Sequence, residues 1–379
     1  MWRNSAVSAA ACAMRIDRLE LEGFRNYVLQ SVRFDPRCSV ICGENAQGKT
    51  NLLEALVYLS RGRSPRARND REMIGFAREQ ARLTADVFAR DRDFRIQADL
   101  ARGRRRRLTV NQAPVKTGGA MNVYTTVLFQ PEDLYLIREG AAVRRRFLDT
   151  ALCQLRPRYA SALASYSRAH EQKTRILRDS EDHPSLLDAL PEFSAQMVRF
   201  GAVLIHYRCR FIQRLEEYAA VHHRECSGGR EELRIAYQTV SAIQDPAADV
   251  GKLTDWLEQH MTAHEQAERA SRLCLSGPHK DDMLVTIDGV EAKTYSSQGQ
   301  TRTAALALKL AEREIYRNAA GEYPVLLLDD VLSELDPKRQ EFVLNRIAGG
   351  QVFITCCEED RLPSLLGGKV FHVKQGEIL

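Results

Sequence analysis

Apolar and polar residues alternate along residues 14–32, which predicts two strands joined by a turn at residues 23–27. The short apolar run Cys38–Cys42 is typical of a buried strand, and it leads into a glycine-punctuated loop at residues 43–50. Beyond the loop, apolar residues recur at helical spacing, at Leu52, Leu53, Leu56 and Leu59. The pattern therefore predicts the order strand, glycine loop, helix.

The rest of the chain divides into a β-rich part, a helical part and a second α/β part. Residues 83–126 contain several short β patterns with a turn at 111–114, and residues 151–272 have apolar positions spaced by three and four. After them we predict a strand at 283–287, a helix starting near Gln300, buried strands at 325–328 and 352–355, a helical piece and a last hairpin. The boundaries expected from this pattern are residues 14–150, 151–272 and 273–379.

Composition narrows the class of protein. At 379 residues the chain is too long for one ordinary domain, so we expect two domains or one domain with a large insertion. The balance of 55 basic and 50 acidic residues gives a net charge of +5, which by itself does not establish a nucleic-acid partner. Nine cysteines without a C-x-x-C pair argue against a zinc site and favour reduced thiols in the cytoplasm.

The N-terminal segment, residues 1–13, is alanine-rich and carries one arginine. We expect it to be a disordered extension, or to precede the true start of the protein at Met14. A signal peptide is the alternative, and it is disfavoured because the run lacks a core of Leu, Ile or Phe. The sequence also contains no run of about 18 apolar residues, so no membrane span is expected.

Residues 43–50 read GENAQGKT and fit the phosphate-loop pattern G-x-x-x-x-G-K-[ST]. Glycines let backbone N–H groups surround phosphate oxygens, the lysine reaches the β- and γ-phosphates, and the threonine hydroxyl ligates Mg²⁺. The predicted ATP-binding residues are Gly43, Glu44, Asn45, Ala46, Gln47, Gly48, Lys49 and Thr50. A plain turn between a strand and a helix is the structural alternative.

The buried strand at residues 325–328 ends in Asp329 and Asp330. An acid at this place, downstream of a phosphate loop, is typical of the residue that binds Mg²⁺ in P-loop ATPases, and we assign that role to Asp329. Asp330 would then position or deprotonate the attacking water. An acidic pair after an apolar strand is a weak signal alone, and it gains weight from the phosphate loop.

Residues 296–300 read SSQGQ and resemble the ABC signature LSGGQ at Ser297, Gly299 and Gln300, with Gln298 in place of the first glycine. The apolar-rich helix that follows puts this signature segment at a helix N-terminus, where anions bind. An ordinary capped helix start is the structural alternative. Downstream of the acidic pair, residues 333–336 resemble a D-loop, with Ser333 and Asp336 as its polar residues. Since a signature serine acts on the nucleotide of a second subunit, we predict an ATP-dependent homodimer.

The order of these motifs, together with others, resembles the RecF family of DNA-repair ATPases. The additional matches are LEGFRNY at 21–27, SPR at 64–66, FQPEDL at 129–134, RRRFLD at 144–149, GPHKDD at 277–282 and YSSQGQTR at 295–302. The resemblance covers residues 14–355. It implies an ABC-type P-loop ATPase head, a mixed β-sheet flanked by helices, with a short helical arm inserted at 151–272.

The resemblance also implies an ATP-dependent, DNA-binding protein of recombinational repair and replication-fork maintenance in the cytoplasm, associated with the nucleoid. Proteins of this family act in the response to DNA damage and, with RecR and RecO, help RecA loading at single-strand gaps. Asp330 replaces the glutamate of most ABC proteins, so we expect slow, DNA-dependent hydrolysis. Gln130 is a candidate for the Q-loop residue, and residues 355–357 lack the switch histidine of ABC transporters.

Arginines cluster at 61–71 and 102–107, and such clusters bind phosphates without reading base sequence. The candidate residues for contact with double-stranded or gapped DNA are Arg63, Arg66, Arg104, Arg105, Arg106 and Arg107. A solvated charged hairpin is the alternative for each cluster. The helical arm is either a partner surface, a wall against DNA, or a packed subdomain.

Three other classes of protein share parts of this pattern. A transporter nucleotide-binding subunit would not need the arginine clusters or residues 21–27, and a small-molecule kinase would not need a signature segment. A purely structural DNA-binding protein would not need the pair Lys49 and Asp329.

Overall fold

The computed structural model describes residues 14–115, 123–357 and 368–379. The extension predicted at residues 1–13 and most of the helical piece predicted after Thr355 lie outside these ranges. The chain divides into two compact units, the first made of Met1–Leu134 with Glu312–Leu379 and the second of Tyr135–Ala311. No helix in the described part of the chain is long and apolar enough to cross a membrane.

The strands follow the alternating and apolar runs of the sequence. In chain order they are β1 (Arg15–Phe24), β2 (Tyr27–Arg33), β3 (Cys38–Cys42), β4 (Gln80–Ala89), β5 (Arg92–Ala101), β6 (Arg107–Val110), β7 (Ala113–Val115), β8 (Thr126–Phe129), β9 (Leu233–Gln238), β10 (Asp282–Ile287), β11 (Val290–Glu291), β12 (Val325–Asp329), β13 (Val352–Cys356), β14 (Lys369–Lys374) and β15 (Glu377–Ile378).

The helices occupy the segments with three- and four-residue periodicity. In chain order they are α1 (Lys49–Arg61), α2 (Ala141–Leu155), α3 (Pro157–Asp179), α4 (Leu190–Cys226), α5 (Val250–Ser271), α6 (Ala292–Tyr295), α7 (Gln298–Ala320) and α8 (Pro337–Arg346). Short 3₁₀ segments occur at Asp70–Met73, Pro131–Tyr135, Pro184–Ala189 and Leu332–Glu334.

The first unit contains a sheet with strand order β15-β14-β3-β13-β12-β8. Its strands β14, β3, β13, β12 and β8 are parallel, and β15 forms the predicted C-terminal hairpin with β14. Every residue of β3, β12 and β13 is buried. Strands buried on both faces read as unbroken apolar runs, which is why the sequence pattern located them.

The second sheet of the first unit is antiparallel, with order β2-β1-β4-β5-β6-β7. It confirms the predicted pair of strands at the start of the chain, since β1 and β2 form a hairpin with Phe24 opposite Tyr27. The predicted turn at 111–114 is shorter in the structure. Only Asn111 and Gln112 have positive φ angles, of 48° and 69°, and β7 already begins at Ala113.

The second unit contains α2, α3, α4 and α5 together with a small antiparallel sheet of order β11-β10-β9. It extends beyond the predicted arm of residues 151–272 at both ends, and the boundary at residues 311 and 312 falls inside α7. Strand β9 lies within the predicted arm, where its buried residues Leu233 and Ile235 and the half-buried Tyr237 pair with β10. Local helical periodicity could not reveal this strand, since its partner is far along the chain.

The motif GPHKDD at residues 277–282 forms the polar centre of the second unit. Arg144 donates two hydrogen bonds of 2.7 Å to the carboxylate of Asp282, and the buried Arg208 lies 3.6 Å from Asp281. The hydroxyl of Tyr166 lies 2.6 Å from Nδ1 of His279, whose Nε2 lies 3.1 Å from the carbonyl oxygen of Cys274. Because a carbonyl only accepts, Nε2 carries the proton and Nδ1 accepts from Tyr166.

We predict that His279 makes the protein sensitive to acid. Burial lowers the pKa of His279 to about 3. The unfolded chain therefore takes up a proton at this residue below pH of about 6.5, whereas the folded state does not. The stabilising contribution is complete above that pH and is lost as the pH falls toward 3.

Replacing His279 by Gln should reduce the difference in free energy of unfolding between pH 7.5 and pH 5 by about 1–2 kcal/mol. Urea denaturation at the two pH values measures this difference. His183→Gln, at an exposed histidine, is the matched control. An unchanged difference in the His279 variant would contradict the assignment.

Candidate functional site

The phosphate loop, residues 43–50, connects the end of β3 to the start of α1. Gly43 and Gly48 have φ angles of 155° and 122°, and a Cβ on Gly43 would lie 2.4 Å from the carbonyl oxygen of Val373. Helix α1 has no side-chain cap at its N-terminus and no acidic residue in its first turn. Its first N–H groups and the positive end of its dipole are thus available to an anion, as phosphate binding requires.

Lys49 is held inside this loop by backbone carbonyls. Its ammonium donates to the carbonyl oxygens of Gly43 at 2.5 Å and Glu44 at 2.9 Å, and the residue is only 6% exposed. These contacts keep the Lys49 ammonium buried at the N-terminus of α1. Its positive charge and the positive end of the helix dipole both favour the binding of a polyphosphate.

Asn26 and Tyr27, from the turn between β1 and β2, hold the loop from outside. Asn26 Nδ2 donates to the carbonyl oxygen of Gln47 at 2.8 Å, and the Tyr27 hydroxyl donates to that of Gly48 at 3.0 Å. A Cβ on Gly48 would lie 2.7 Å from the Asn26 amide, so only glycine fits this approach. Gln47 is held further by the C-terminal hairpin, whose Gln375 N–H donates to its side-chain oxygen at 2.6 Å.

Arg25, the neighbour of these residues, binds helix α1. Its guanidinium donates to both carboxylate oxygens of Glu54, at 2.8 and 2.7 Å, and the Glu54 side chain is fully buried. Ser64 donates a third hydrogen bond to Glu54 at 2.5 Å. The turn that holds the phosphate loop is thus fixed to the helix that the loop begins.

Polar side chains from three strand or helix ends meet beside the phosphate loop. The Thr50 hydroxyl donates to Asp329 Oδ1 at 3.1 Å, and Gln130 Nε2 lies 3.4 Å from Asp329 Oδ2. Asp329 is 4% exposed and takes a further hydrogen bond from the Thr355 hydroxyl at 2.8 Å. Hydroxyl and carboxylate oxygens are ligands that Mg²⁺ prefers, so Thr50 and Asp329 fit the ion. The structure brings together Thr50 and Asp329, the two residues assigned to Mg²⁺ from the sequence, and places the Q-loop candidate Gln130 beside them.

Asp330 follows β12 in the left-handed region, with a φ angle of 53°. Its backbone N–H donates to the Thr355 hydroxyl at 2.8 Å, and its carbonyl accepts from the Ser333 hydroxyl at 2.6 Å. Burial raises the pKa of Asp330, and the ammonium of Lys49 acts in the opposite direction. The arrangement places a second carboxylate beside the phosphate loop.

The D-loop candidates lie immediately beyond. Ser333 belongs to the 3₁₀ segment Leu332–Glu334, and its contact with Asp330 fixes the chain as it leaves β12. Asp336 is the N-cap of α8, where its carboxylate accepts from the Arg339 N–H at 3.1 Å. The structure therefore shows Asp336 in a capping role.

The signature segment, residues 296–300, begins α7 in the second unit. The Ser297 oxygen accepts from the Gln300 N–H at 3.2 Å, and the Gln300 side chain accepts from the Ser297 N–H at 2.8 Å. This reciprocal pair is a capping box, so the structural alternative for the segment is present as well. Ser297 and Gln298 are exposed, and Gly299 is half-buried. Arg138 holds the segment by donating to the Ser296 carbonyl at 3.2 Å.

The arginine clusters lie next to each other on the first unit. Arg106 forms an ion pair with Asp70 at 3.2 Å and lies over the ring of Tyr58, which connects the β5–β6 turn to the 3₁₀ segment Asp70–Met73. These contacts give Arg106 a structural role, which is an alternative to the DNA-binding role predicted for it. The other candidates, Arg63, Arg66, Arg104, Arg105 and Arg107, are exposed. We call these five residues the arginine surface.

The family described as the RecF/RecN/SMC N terminal domain matches residues 15–375 of this chain. A protein from Agathobacter rectalis named DNA replication and repair protein RecF is 38% identical over 370 residues, covering 96% of this chain and 99% of that protein. The protein of the same name from Alkaliphilus oremlandii is 37% identical over 369 residues, covering 96% and 100%. The chain belongs to the RecF family.

Solved structures agree with this assignment. The recombination mediator protein RecF in the RecFOR pathway, solved as RecF-ATPrS, shares 31% identity and a TM-score of 0.90 over 97% of this chain and 98% of that chain. The RecF-ATP structure shares 31% identity and a TM-score of 0.88 over 98% of this chain and 99% of that chain. An SMC head domain from Pyrococcus furiosus, at 16% identity and a TM-score of 0.56 over 97% and 96%, shares the fold alone. The predicted fold, an ABC-type ATPase head, is confirmed.

The sequence did not predict the contacts that residues 21–27 and Thr355 make in the site. The motif at residues 21–27 was noted as a family match, but its hold on the phosphate loop and on Glu54 was not foreseen. Thr355 was noted only as part of the segment that lacks a histidine. The signal that could have pointed to Thr355 was its polar side chain near the end of an otherwise apolar, buried strand. In that segment Cys357 lies against the loop, with its sulfur 3.1 Å from Asn45 Oδ1 and 3.7 Å from Lys49 Nζ.

We predict that the Arg25–Glu54 pair contributes to stability as well as to the site. Arg25→Met leaves the buried Glu54 carboxylate without its main partner, which should lower the free energy of unfolding by about 2–3 kcal/mol. Arg82→Met, which breaks the exposed pair of Arg82 with Asp99, should cost less than about 1 kcal/mol. Urea denaturation compares the two variants, and equal losses would contradict the assignment.

Proposed function

We propose that this protein is an ATP-dependent DNA-binding ATPase of recombinational repair and replication-fork maintenance. The observation that carries the proposal is the convergence of Thr50, Asp329 and Gln130 at the uncapped N-terminus of α1. It is supported by an exposed signature serine in the second unit and by relatives named DNA replication and repair protein RecF. The RecF-ATP structure, at 31% identity, supports ATP as the nucleotide.

In this proposal each group has one task. The N–H groups of the phosphate loop and the ammonium of Lys49 bind the β- and γ-phosphates. Thr50 and Asp329 would hold Mg²⁺, which when bound neutralises phosphate charge, and Gln130 lies beside them as the Q-loop candidate. Asp330 orients the attacking water or accepts its proton, and its carboxylate is one methylene shorter than that of a glutamate. A shorter reach is consistent with slow hydrolysis, suited to a switch that DNA stimulates.

The second half of the proposal is ATP-driven dimerisation. The hydroxyl of Ser297 is exposed at the start of α7 and uses only its oxygen in the capping box, so its proton remains available as a donor. We place this group on the γ-phosphate bound by a second copy of the chain. Ser333 and Asp336 would lie in the D-loop of the same interface.

We predict that two variants separate ATP binding from dimerisation. Lys49→Met should abolish ATP binding, because it removes the buried ammonium from the loop. Ser297→Asp keeps a good helix N-cap but presents a negative charge to the phosphate, so it should bind ATP as a monomer. Fluorescent-nucleotide titration measures binding, and light scattering with a non-hydrolysable ATP analogue measures mass.

The wild-type protein should double its mass when the analogue is added. A wild-type protein whose mass does not change would sink the dimer proposal. A Ser297→Asp variant that dimerises normally would remove the signature segment from the interface.

We further propose that the arginine surface binds the DNA backbone without reading base sequence. Its residues are exposed, and the Asp70–Arg106 ion pair brings their two clusters together. Arginines in such an arrangement bind phosphates and release counterions. We propose from the family that RecR and RecO are assembly partners and that the protein helps RecA loading at gaps. The names of the two solved RecF structures place those proteins in the RecFOR pathway.

We predict that Arg104, Arg105 and Arg107 contribute to this binding. Replacing all three by Ala should weaken duplex binding at least about tenfold and reduce the slope of log affinity against log salt by about 2–3. A triple variant of the exposed Arg168, Arg210 and Arg214 is the charge-matched control. Fluorescence anisotropy over a salt series with ATP measures both, and equal losses in the two triples would show that net charge alone is responsible.

A further inference from the structure

Thr355 is the last residue but one of β13 and lies directly opposite Asp329 in the parallel pair that β13 forms with β12. It is 2% exposed, and the residues before it in the strand, Val352, Phe353 and Ile354, are buried and apolar. A hydroxyl at this depth needs hydrogen-bond partners. Both of its partners belong to the two carboxylate residues of the candidate site.

The hydroxyl of Thr355 makes two different contacts. It donates its proton to Asp329 Oδ1 at 2.8 Å and accepts the backbone N–H of Asp330 at 2.8 Å. One hydroxyl has a single proton and two lone pairs, so it can serve both partners at once. Valine has the same shape and can serve neither.

Both contacts fix groups that the proposed reaction needs. The bond to Asp329 Oδ1 fixes the orientation of this carboxylate, whose other oxygen lies 3.4 Å from Gln130 Nε2. The bond from the Asp330 N–H stabilises a backbone in the left-handed region, at a φ angle of 53°, which non-glycine residues seldom adopt. The direction in which the Asp330 side chain leaves the strand depends on that backbone.

We propose that Thr355 is a positioning residue for ATP hydrolysis, orienting the carboxylate that holds Mg²⁺ and the residue that handles the attacking water. The assignment rests on the proposed ATPase function. Thr355 does not itself contact the nucleotide in this proposal, so its loss should affect metal dependence and turnover more than nucleotide binding. A residue that only fills space in β13 would show no such selectivity.

The experiment compares Thr355→Val, Thr355→Ser and a control, Thr126→Val, in the full-length protein. Thr126 is a buried threonine of β8 in the same sheet, paired with the first residue of β12 rather than with its last. Fluorescent-ATP titrations without Mg²⁺ and over a Mg²⁺ series give the nucleotide Kd and the half-saturating Mg²⁺ concentration. Steady-state kinetics give kcat and KM, and thermal unfolding checks the fold.

For Thr355→Val we expect kcat to fall about 10–100-fold and half-saturating Mg²⁺ to rise about tenfold, with the Mg²⁺-free nucleotide Kd within about twofold of wild type. Thr355→Ser, which keeps the hydroxyl, should stay within about threefold of wild type in every value. Thr126→Val removes a hydroxyl that accepts from Arg61 Nε at 3.2 Å and does not contact the two carboxylates, so its kcat and Mg²⁺ dependence should match those of wild type. If the Val variant does not fold, Thr355→Ala takes its place with the same expectations.

The outcomes separate the two proposals. A wild-type protein that binds no ATP would overturn the proposed function itself. If wild type binds and hydrolyses ATP but Thr355→Val keeps its Mg²⁺ dependence and kcat, the positioning role is wrong and the proposed function stands. Loss of activity in Thr355→Ser equal to that in Thr355→Val would also overturn the role, since the hydroxyl would then not be the active feature.

Discussion

The parallel pairing of β3, β13 and β12 is the constraint on which the candidate site depends. Parallel strands end at the same edge of a sheet, and here the register sets Cys42 opposite Cys356 and Asp329 opposite Thr355. The phosphate loop leaves this edge from β3, and the two carboxylates leave it from β12. The Thr50 hydroxyl and Asp329 Oδ1 thereby lie 3.1 Å apart, although the two residues are about 280 positions apart along the chain. A slip of one residue in β12 would turn the Asp329 side chain to the other face of the sheet.

The charged groups of the site are buried and paired. Lys49, Asp329 and Glu54 are each less than 10% exposed, and an unpaired charge at that depth is costly. Each of them has polar partners in the described structure: backbone carbonyls for Lys49, hydroxyls for Asp329, and Arg25 with Ser64 for Glu54. The residues that hold the site thus come from the RecF-family motif at 21–27 and from β13 as well as from the phosphate loop.

The sequence was sufficient for the parts of the fold whose signals are local. The strand, glycine loop and helix of residues 38–61 could be predicted because a buried parallel strand, a left-handed glycine and an amphipathic helix each have a short-range pattern. The carboxylates after β12 and the capping box at Ser297 and Gln300 could be located for the same reason. Helix α7 began two residues earlier than expected, within the usual fraying of helix ends.

What escaped prediction depends on contacts between distant segments. β9 lies in a stretch that was predicted to be helical. Its strand conformation is decided by its pairing with β10, about 50 residues further along the chain. Arg106 was a candidate for DNA contact, and only the structure shows its pairing with Asp70 and its position over Tyr58. The role of Thr355 depends on register, because a one-residue change would place an apolar residue against Asp329. Spacing along the sequence contains none of this information.

The two helix N-termini of the proposed nucleotide site differ in a way that orders the steps. At α1 no side chain caps the helix, so its first N–H groups are all free to bind phosphate. At α7 the Gln300 N–H is already bound by the Ser297 oxygen, which leaves mainly the hydroxyl proton and the remaining N–H groups for a ligand. In the proposed function a single chain therefore binds ATP first through its own phosphate loop, where the affinity is greater. The weaker contact from a second copy adds to an already bound nucleotide, so assembly follows binding and is released once the γ-phosphate is gone.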